Sequence, residues 1–140
     1  MSKVKPYSAS SPAFGGFLLM AIGIYFVFLR PSLLPEDYKY IGLTSAEIQQ
    51  NIPQLSIWLQ KVFWVMGGYI FTSGLLTIYI SRTSFLTRSP GSFVVVILTG
   101  ISSIAVMTTV NFILDSDFKW IFLLFNLPWV MASILYRFHK

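Results

Sequence analysis

The sequence contains no cysteine and a single histidine, His139. Without cysteine, disulfides, thiolate metal sites and thiol catalysis are excluded. The histidine is the penultimate residue, and no His, Asp or Glu cluster has ligand spacing, so no metal site is predicted. The paired glycines Gly67 and Gly68 lie in an apolar run and lack the strand–turn–helix context of a phosphate-binding loop. The sequence therefore predicts no catalytic residue, no metal and no cofactor.

Charged residues are also scarce, at 11% of 140 residues, whereas hydrophobic residues make up 55%. A soluble domain carries about 25% charged residues, so this composition indicates a membrane protein. The length allows one domain, residues 1–140. The net charge of +5 comes from Lys and Arg scattered between apolar runs. These residues are interpreted as topology signals, and no nucleic-acid partner is expected.

Four apolar runs, at about residues 13–29, 62–80, 93–114 and 120–136, contain no charged residue. Each is close to the length of about 20 residues that crosses the hydrocarbon core as a helix. The first run lacks a small-residue cleavage site, so we expect an uncleaved span rather than a signal peptide. The sequence thus predicts an all-α fold, an integral membrane four-helix bundle.

The flanking charges predict the orientation of this bundle. Six basic residues and no acid flank the spans on one side: Lys3, Lys5, Arg82, Arg88, Arg137 and Lys140. The positive-inside rule therefore places both termini in the cytoplasm, in an inner (cytoplasmic) membrane, with the 31–61 loop exoplasmic. Within that loop, Thr44 to Glu47 has the form of a capping box and predicts a short helix from Ser45 to about Gln50. The helix of the second span is expected to begin at Pro53.

Uncharged polar or very small residues from all four helices share one layer, roughly 9 Å below the outer face at about 1.5 Å per residue. The candidate ligand-binding residues of this region are Tyr25, Gly68, Tyr69, Thr108, Asn111 and Asn126. The sequence favours hydrogen bonds between helices as their role, each contributing about 0.6 to 2 kcal/mol. The alternative is the floor of a cavity, roofed by the 31–61 loop, that holds an amphiphilic ligand. Pro128 is expected to kink the fourth helix just below Asn126.

Glycine recurs at a seven-residue spacing in the first two spans, as Gly16 and Gly23 and as Gly67 and Gly74. Seven residues are about two helical turns, so each pair lies on one helix face. Close contact between helices is the predicted role of these glycines, because small residues let backbones approach each other in membranes. A hinge and a binding pocket are the alternatives.

The order of these features resembles that of a known group of membrane proteins. A first span with "GG" is followed by "RP", then by the loop "EDYKYIGLT", and then by "VFWVMGGYIFTSGLL". This arrangement resembles small bacterial inner-membrane proteins of the DoxX-like kind and related four-span families. The resemblance implies a four-helix bundle in a bacterial cytoplasmic membrane, and it assigns no functional residue.

These features favour a non-enzymatic four-span membrane protein that binds a small apolar or lipid-like ligand or acts as an accessory subunit of a membrane complex. The alternatives are a membrane enzyme acting on a lipid or quinone, with Tyr69, Asn111 and Asn126 placing the substrate, and a small oligomeric transporter or channel. The expected partners are membrane lipid and either other membrane proteins or a second copy of the chain.

Overall fold

The computed structural model describes residues 4–138, which are helical throughout apart from turns, with side chains described from Tyr7 onward. Lys3, His139 and Lys140, which enter the sequence interpretation, lie outside the described residues. The α-helices are α1 (Val4–Phe28), α2 (Pro35–Ile41), α3 (Ser45–Asn51), α4 (Gln54–Ile80), α5 (Ser92–Gly100), α6 (Val106–Ile113), α7 (Lys119–Leu124) and α8 (Leu127–Phe138). Short π-helical turns follow α4 at Ser81–Phe85 and α5 at Ile101–Ala105.

Four helical stretches are long and apolar enough to cross a membrane. They are span 1 (Tyr7–Phe28), span 2 (Gln54–Phe85), span 3 (Ser92–Ile113) and span 4 (Lys119–Phe138). This finding confirms the all-helical prediction and the predicted number of helices that are long and apolar enough to cross a membrane. The helix of span 2 begins directly after Pro53, close to the predicted start, and it continues beyond Ile80 through the first π-helical turn, farther than the apolar run predicts.

Spans 3 and 4 are less regular than the sequence predicts. Span 3 contains the second π-helical turn, which follows Gly100. Span 4 is interrupted at Phe125 and Asn126, between α7 and α8. Pro128 lacks an amide hydrogen and its ring crowds the preceding turn, so the helix breaks on the N-terminal side of the proline. The interruption therefore lies at Asn126 itself rather than below it.

The closest helix pair is formed by α1 and α4, which run antiparallel. A Cβ atom placed on Gly23 would lie 2.7 Å from the carbonyl oxygen of Gly67, and one on Gly67 would lie 2.7 Å from that of Gly23. A Cβ atom on Gly16 would lie 2.6 Å from the carbonyl oxygen of Gly74. The two helices are thus in backbone contact at two levels, and at each level a glycine of α1 faces a glycine of α4.

Trp129 of α8 joins span 4 to spans 1 and 3. A Cβ atom on Gly15 would lie 2.7 Å from the Trp129 ring, and Gly100 is in similarly tight contact with that ring. The indole therefore fills two notches left by missing side chains. Its Nε1–H has no hydrogen-bond partner among the described residues, so packing rather than polar contact holds the ring. Aromatic contacts of Tyr136 with Phe85 and Phe93, at centroid distances of 4.8 and 4.7 Å, close the same end of the molecule.

Two short helices connect spans 1 and 2. α3 has the capping box at Thr44: the Thr44 amide donates to Glu47 Oε2 at 2.7 Å, and the Glu47 amide donates to Thr44 Oγ1 at 3.3 Å. The Thr44 amide, followed by the Thr44 hydroxyl, which donates to the same carboxylate oxygen at 2.7 Å, holds the pKa of Glu47 below its usual value. Sequence reasoning missed α2, although Pro35 at its first position and Gly42 at its C-terminal cap, with φ of 75°, mark both of its ends.

The adjacent glycines of α4 allow a matched test of the α1–α4 contact. Gly67→Ala should lower the free energy of unfolding by about 1–3 kcal/mol, because its methyl group overlaps the Gly23 carbonyl and Val27. Gly68→Ala should leave it unchanged or raise it by up to about 1 kcal/mol, because nothing lies within 4 Å of the added Cβ. Reversible unfolding in detergent micelles measures both values. Equal effects of the two substitutions would contradict this description of the contact.

Candidate functional site

A cavity of about 740 Å³ lies between the hairpin of spans 1 and 2 and the hairpin of spans 3 and 4. α8 packs on both α1 and α5, so the two hairpins meet at the end that contains Trp129. Toward the other end, α6 packs mainly on α7, and neither forms an extensive contact with α1 or α4. The hairpins therefore diverge toward α2 and α3, and the space between them is the cavity.

Most of the cavity wall is apolar. The apolar side chains come from both hairpins: Leu19, Phe26, Phe63, Met66, Ile70, Val106, Met107, Val110, Leu114, Phe118, Ile121 and Phe122. Met66 of α4 and Val106 and Val110 of α6 are also exposed. Exposed apolar surface at the cavity thus comes from both α4 and α6, which do not pack closely on each other.

Three serines also line the apolar part of the cavity, yet their hydroxyl protons are used within their own helices. Ser73 Oγ donates to the carbonyl oxygen of Tyr69 at 2.8 Å. Ser103 Oγ donates to the carbonyl oxygen of Thr99 at 2.5 Å, and Ser102 Oγ donates more weakly to the same atom at 3.5 Å. Because serine has one hydroxyl proton, these side chains offer a ligand acceptor capacity but no free donor.

Charged side chains are confined to one end of the cavity, which we call the polar end and which comprises Arg30, Glu36, Asp37 and Ser116. An ion pair joins Arg30 Nη2 to Asp37 Oδ2 at 3.4 Å. The same Asp37 oxygen accepts a hydrogen bond from the Leu34 amide at 2.8 Å, at the start of α2. Ser116 Oγ donates to Glu36 Oε1 at 2.9 Å. α2 is thereby attached to span 1 through Asp37 and to the turn between spans 3 and 4 through Glu36.

Arg30 is held by rings as well as by charge. Its guanidinium carbon lies 3.6 Å from the centroid of Phe63 and 5.2 Å from that of Phe26. Burial lowers the pKa of Arg30, and the Asp37 carboxylate is the main group that opposes this shift. Only 11% of the Arg30 side chain is exposed, so its charge is compensated mainly by Asp37 and by the faces of the two rings.

Ser116 lies in a sharp turn between spans 3 and 4. Asp115 has a φ of 51°, in the left-handed region, and the Ser116 amide donates to the carbonyl oxygen of Asn111 at 2.9 Å. The turn buries Ser116, whose Oγ accepts from the Phe118 amide at 3.2 Å. An ion pair between Asp115 and Lys119 steadies the turn, and hydrogen bonding and charge from Lys119 lower the pKa of Asp115. The turn thus presents a buried hydroxyl to Glu36.

The structure separates the six candidate ligand-binding residues into two groups. Tyr25, Tyr69 and Asn111 line the cavity, although the Asn111 amide also donates to the Met107 carbonyl of its own helix at 2.9 Å. The second group does not line it. Gly68 lies on the exposed face of α4, and Thr108 and Asn126 bond to each other between spans 3 and 4.

Thr108 and Asn126 satisfy the backbone where span 4 is interrupted. Asn126 Nδ2 donates to Thr108 Oγ1 at 2.8 Å and to the carbonyl oxygen of Phe122 at 2.8 Å. Thr108 Oγ1 lies 2.7 Å from the carbonyl oxygen of Ile104 and 3.0 Å from that of Phe122, and its single proton serves one of them at a time. The Asn126 amide bonds to Leu123 instead of Phe122, so the Phe122 carbonyl needs these side chains. Thr108 and Asn126 therefore hold spans 3 and 4 together, whereas Gly68 contacts no neighbouring helix.

Sequence reasoning missed the charged residues of the cavity. Arg30, Glu36, Asp37 and Ser116 lie outside the four predicted spans, and the sequence pattern assigns none of them to a ligand site. The signal that could have found them is the short helix α2, whose proline and glycine ends fix two acids in its first turn, directly after the arginine. Pairing across that turn would then place all three charges together.

The four apolar helices indicate a multi-pass membrane protein, and the divergence of the hairpins gives it a cavity with an apolar wall and a charged end. Comparison of the chain with family models, with curated proteins and with solved structures finds no match. The resemblance to DoxX-like proteins therefore stays a prediction.

The hydrogen bonds of Asn126 predict a structural effect of its removal. Asn126→Leu and Thr108→Val should each lower the free energy of unfolding by about 1–2 kcal/mol, because a buried carbonyl or amide loses a partner. The double variant should lose less than the sum, since both changes remove one shared bond. Chemical unfolding in micelles measures these values.

Thr109→Val is the matched control, because the Thr109 hydroxyl is exposed and donates only to the Ala105 carbonyl of its own helix at 2.9 Å. It should change stability by less than about 0.5 kcal/mol. Strict additivity of the Asn126 and Thr108 effects would refute the coupling.

Proposed function

We propose that this protein binds a small amphiphile, drawn from membrane lipid or partitioned into it, in the cavity between its two hairpins. The observation that carries the proposal is the division of the cavity into a long apolar wall and a single charged end. The cavity volume lies within the roughly 300–1,000 Å³ typical of small-molecule sites. An amphiphile likewise has an apolar tail and one polar group. It can bury the tail along the apolar wall and keep the polar group hydrogen-bonded at the charged end.

We infer that the cavity opens toward the bilayer between α4 and α6, because these helices do not pack closely on each other. Their exposed residues that line the cavity are mostly apolar: Met66, Val106 and Val110, together with Tyr69. A lipid-soluble molecule can pass such a border without losing bound water, whereas a water-soluble molecule would have to give up its hydration to do so. Trp129 and its neighbours fill the opposite end, so we expect a ligand to enter between α4 and α6 or at the polar end.

We also propose that both termini face the cytoplasm and that the polar end faces the exoplasm. Arg82, Arg88 and Arg137 belong to the end away from α2, together with the sequence neighbours of both termini. Lys and Arg are enriched in short cytoplasmic segments of membrane proteins. In this orientation the ligand's polar group lies in the outer leaflet.

Neighbouring positions on α4 allow a test of the cavity. Ser73→Phe should lower the occupancy of a co-purified amphiphile by about tenfold, equivalent to about 1.4 kcal/mol, because the ring occupies space at the cavity wall. Thr72→Phe should leave occupancy unchanged, because Thr72 is exposed and does not line the cavity. Native mass spectrometry of protein released from micelles reports bound mass and copy number together. Equal occupancy in both variants and the parent protein would reject the cavity as the binding site.

The absence of native cysteine makes the orientation directly testable. Single cysteines are introduced at exposed Gln49 in α3 and at exposed Pro90 in the turn between spans 2 and 3. A membrane-impermeant maleimide applied to intact cells should label Gln49→Cys, and it should label Pro90→Cys only after the membrane is permeabilised. The reverse pattern would overturn the proposed orientation while leaving the cavity proposal intact.

A further inference from the structure

We propose that the cavity selects amphiphiles that carry one positive charge, with the cationic group beside Glu36 and the tail along the apolar wall. This inference rests on the proposed function and adds the chemical class of the ligand to it. It depends on three features of the polar end: its summed charge, the partner of each charged group, and the low polarity of its surroundings.

The charges that line the cavity do not cancel. Arg30 contributes one positive charge, and Glu36 and Asp37 contribute one negative charge each. Of these three cavity-lining side chains, Arg30 and Asp37 form an ion pair. Glu36 therefore supplies the excess negative charge of the polar end.

Glu36 forms no ion pair with a described residue, and its hydrogen bond comes from a neutral group. Its Oε1 accepts from the neutral hydroxyl of Ser116 at 2.9 Å. Arg30 feels the charge of Glu36, but at a distance beyond that of an ion pair. A half-buried carboxylate beside an apolar wall is costly unless a cation pairs with it. A cationic ligand supplies that partner.

Arg30 is a poor site for an anionic ligand. Its guanidinium is paired with Asp37, packed on the rings of Phe63 and Phe26, and only 11% exposed. An anion that took the place of Asp37 would leave two unpaired carboxylates at the polar end. Asp37 would also have to leave the Leu34 amide, which it holds at 2.8 Å at the start of α2. The charge arrangement thus favours cations and disfavours anions together.

The test compares three amphiphiles with the same dodecyl tail and different polar groups: dodecyltrimethylammonium, dodecyl maltoside and tridecanoate. Each competes below its micellar concentration for the protein in lipid nanodiscs, and native mass spectrometry reports the occupancies. We expect dodecyltrimethylammonium to bind on the order of tenfold more tightly than tridecanoate, a modest effect for a partly exposed charge. Equal binding of the two, or tighter binding of tridecanoate, would overturn the inference.

Glu36→Gln identifies the residue responsible. Glutamine keeps an oxygen that accepts the Ser116 proton but removes the charge. The affinity of the variant for dodecyltrimethylammonium should therefore fall to about its affinity for dodecyl maltoside. Asp117→Asn is the matched control: it makes the same change in net charge on an exposed residue of the neighbouring turn that does not line the cavity. An equal loss of preference in both variants would show a general charge effect and contradict the role of Glu36.

Ser73→Phe separates this inference from the proposed function. If it weakens binding of all three amphiphiles while the parent protein shows no preference for the cation, the cavity binds amphiphiles and only the charge selection is wrong. If it weakens none of them, the cavity is not the binding site and both proposals fail. The comparison of polar groups uses the parent protein alone. The inference can therefore still be rejected if the Glu36→Gln protein folds poorly.

Discussion

The backbone contact between α1 and α4 determines where the other helices can lie. In lipid, helices gain nothing from hiding apolar side chains from water, so dispersion contacts and hydrogen bonds must hold them together. Gly16 and Gly23 against Gly74 and Gly67 bring two long helices close enough for backbone atoms to touch. The hairpin of spans 1 and 2 is therefore a narrow, rigid unit against which the second hairpin must pack.

The second hairpin packs well at one end only. There, Gly15 and Gly100 leave notches that the Trp129 ring fills, and the ring cluster of Phe85, Phe93 and Tyr136 continues the contact. At the other end the facing residues of α4 and α6 are bulky or polar, and α2 joins the hairpins through hydrogen bonds and an ion pair. Different side-chain sizes at the two ends thus produce both the closed end and the cavity.

The sequence alone predicted the features that depend on local pattern. Helical class and number of spans follow from long uncharged apolar runs, and the capping box of Thr44 and Glu47 marks α3 because it involves neighbours in the chain. The shape of the cavity depends on how far two hairpins diverge, which no local pattern records. For the same reason, residues placed in one layer by helical rise proved to face different surroundings: Asn111 lines the cavity, whereas Asn126 bonds to Thr108 at the break in span 4.

The arrangement of the glycine contacts also implies an order of assembly during synthesis. The two glycine pairs lie within one hairpin, so they can form as soon as span 2 has entered the membrane. Trp129 meets Gly15 across more than a hundred residues of chain and can do so only when the last span arrives. Until then Gly15 has no partner from α8, and spans 1 and 2 form a completed pair with an unfilled notch. The contact that fixes the second hairpin on the first therefore depends on the last span.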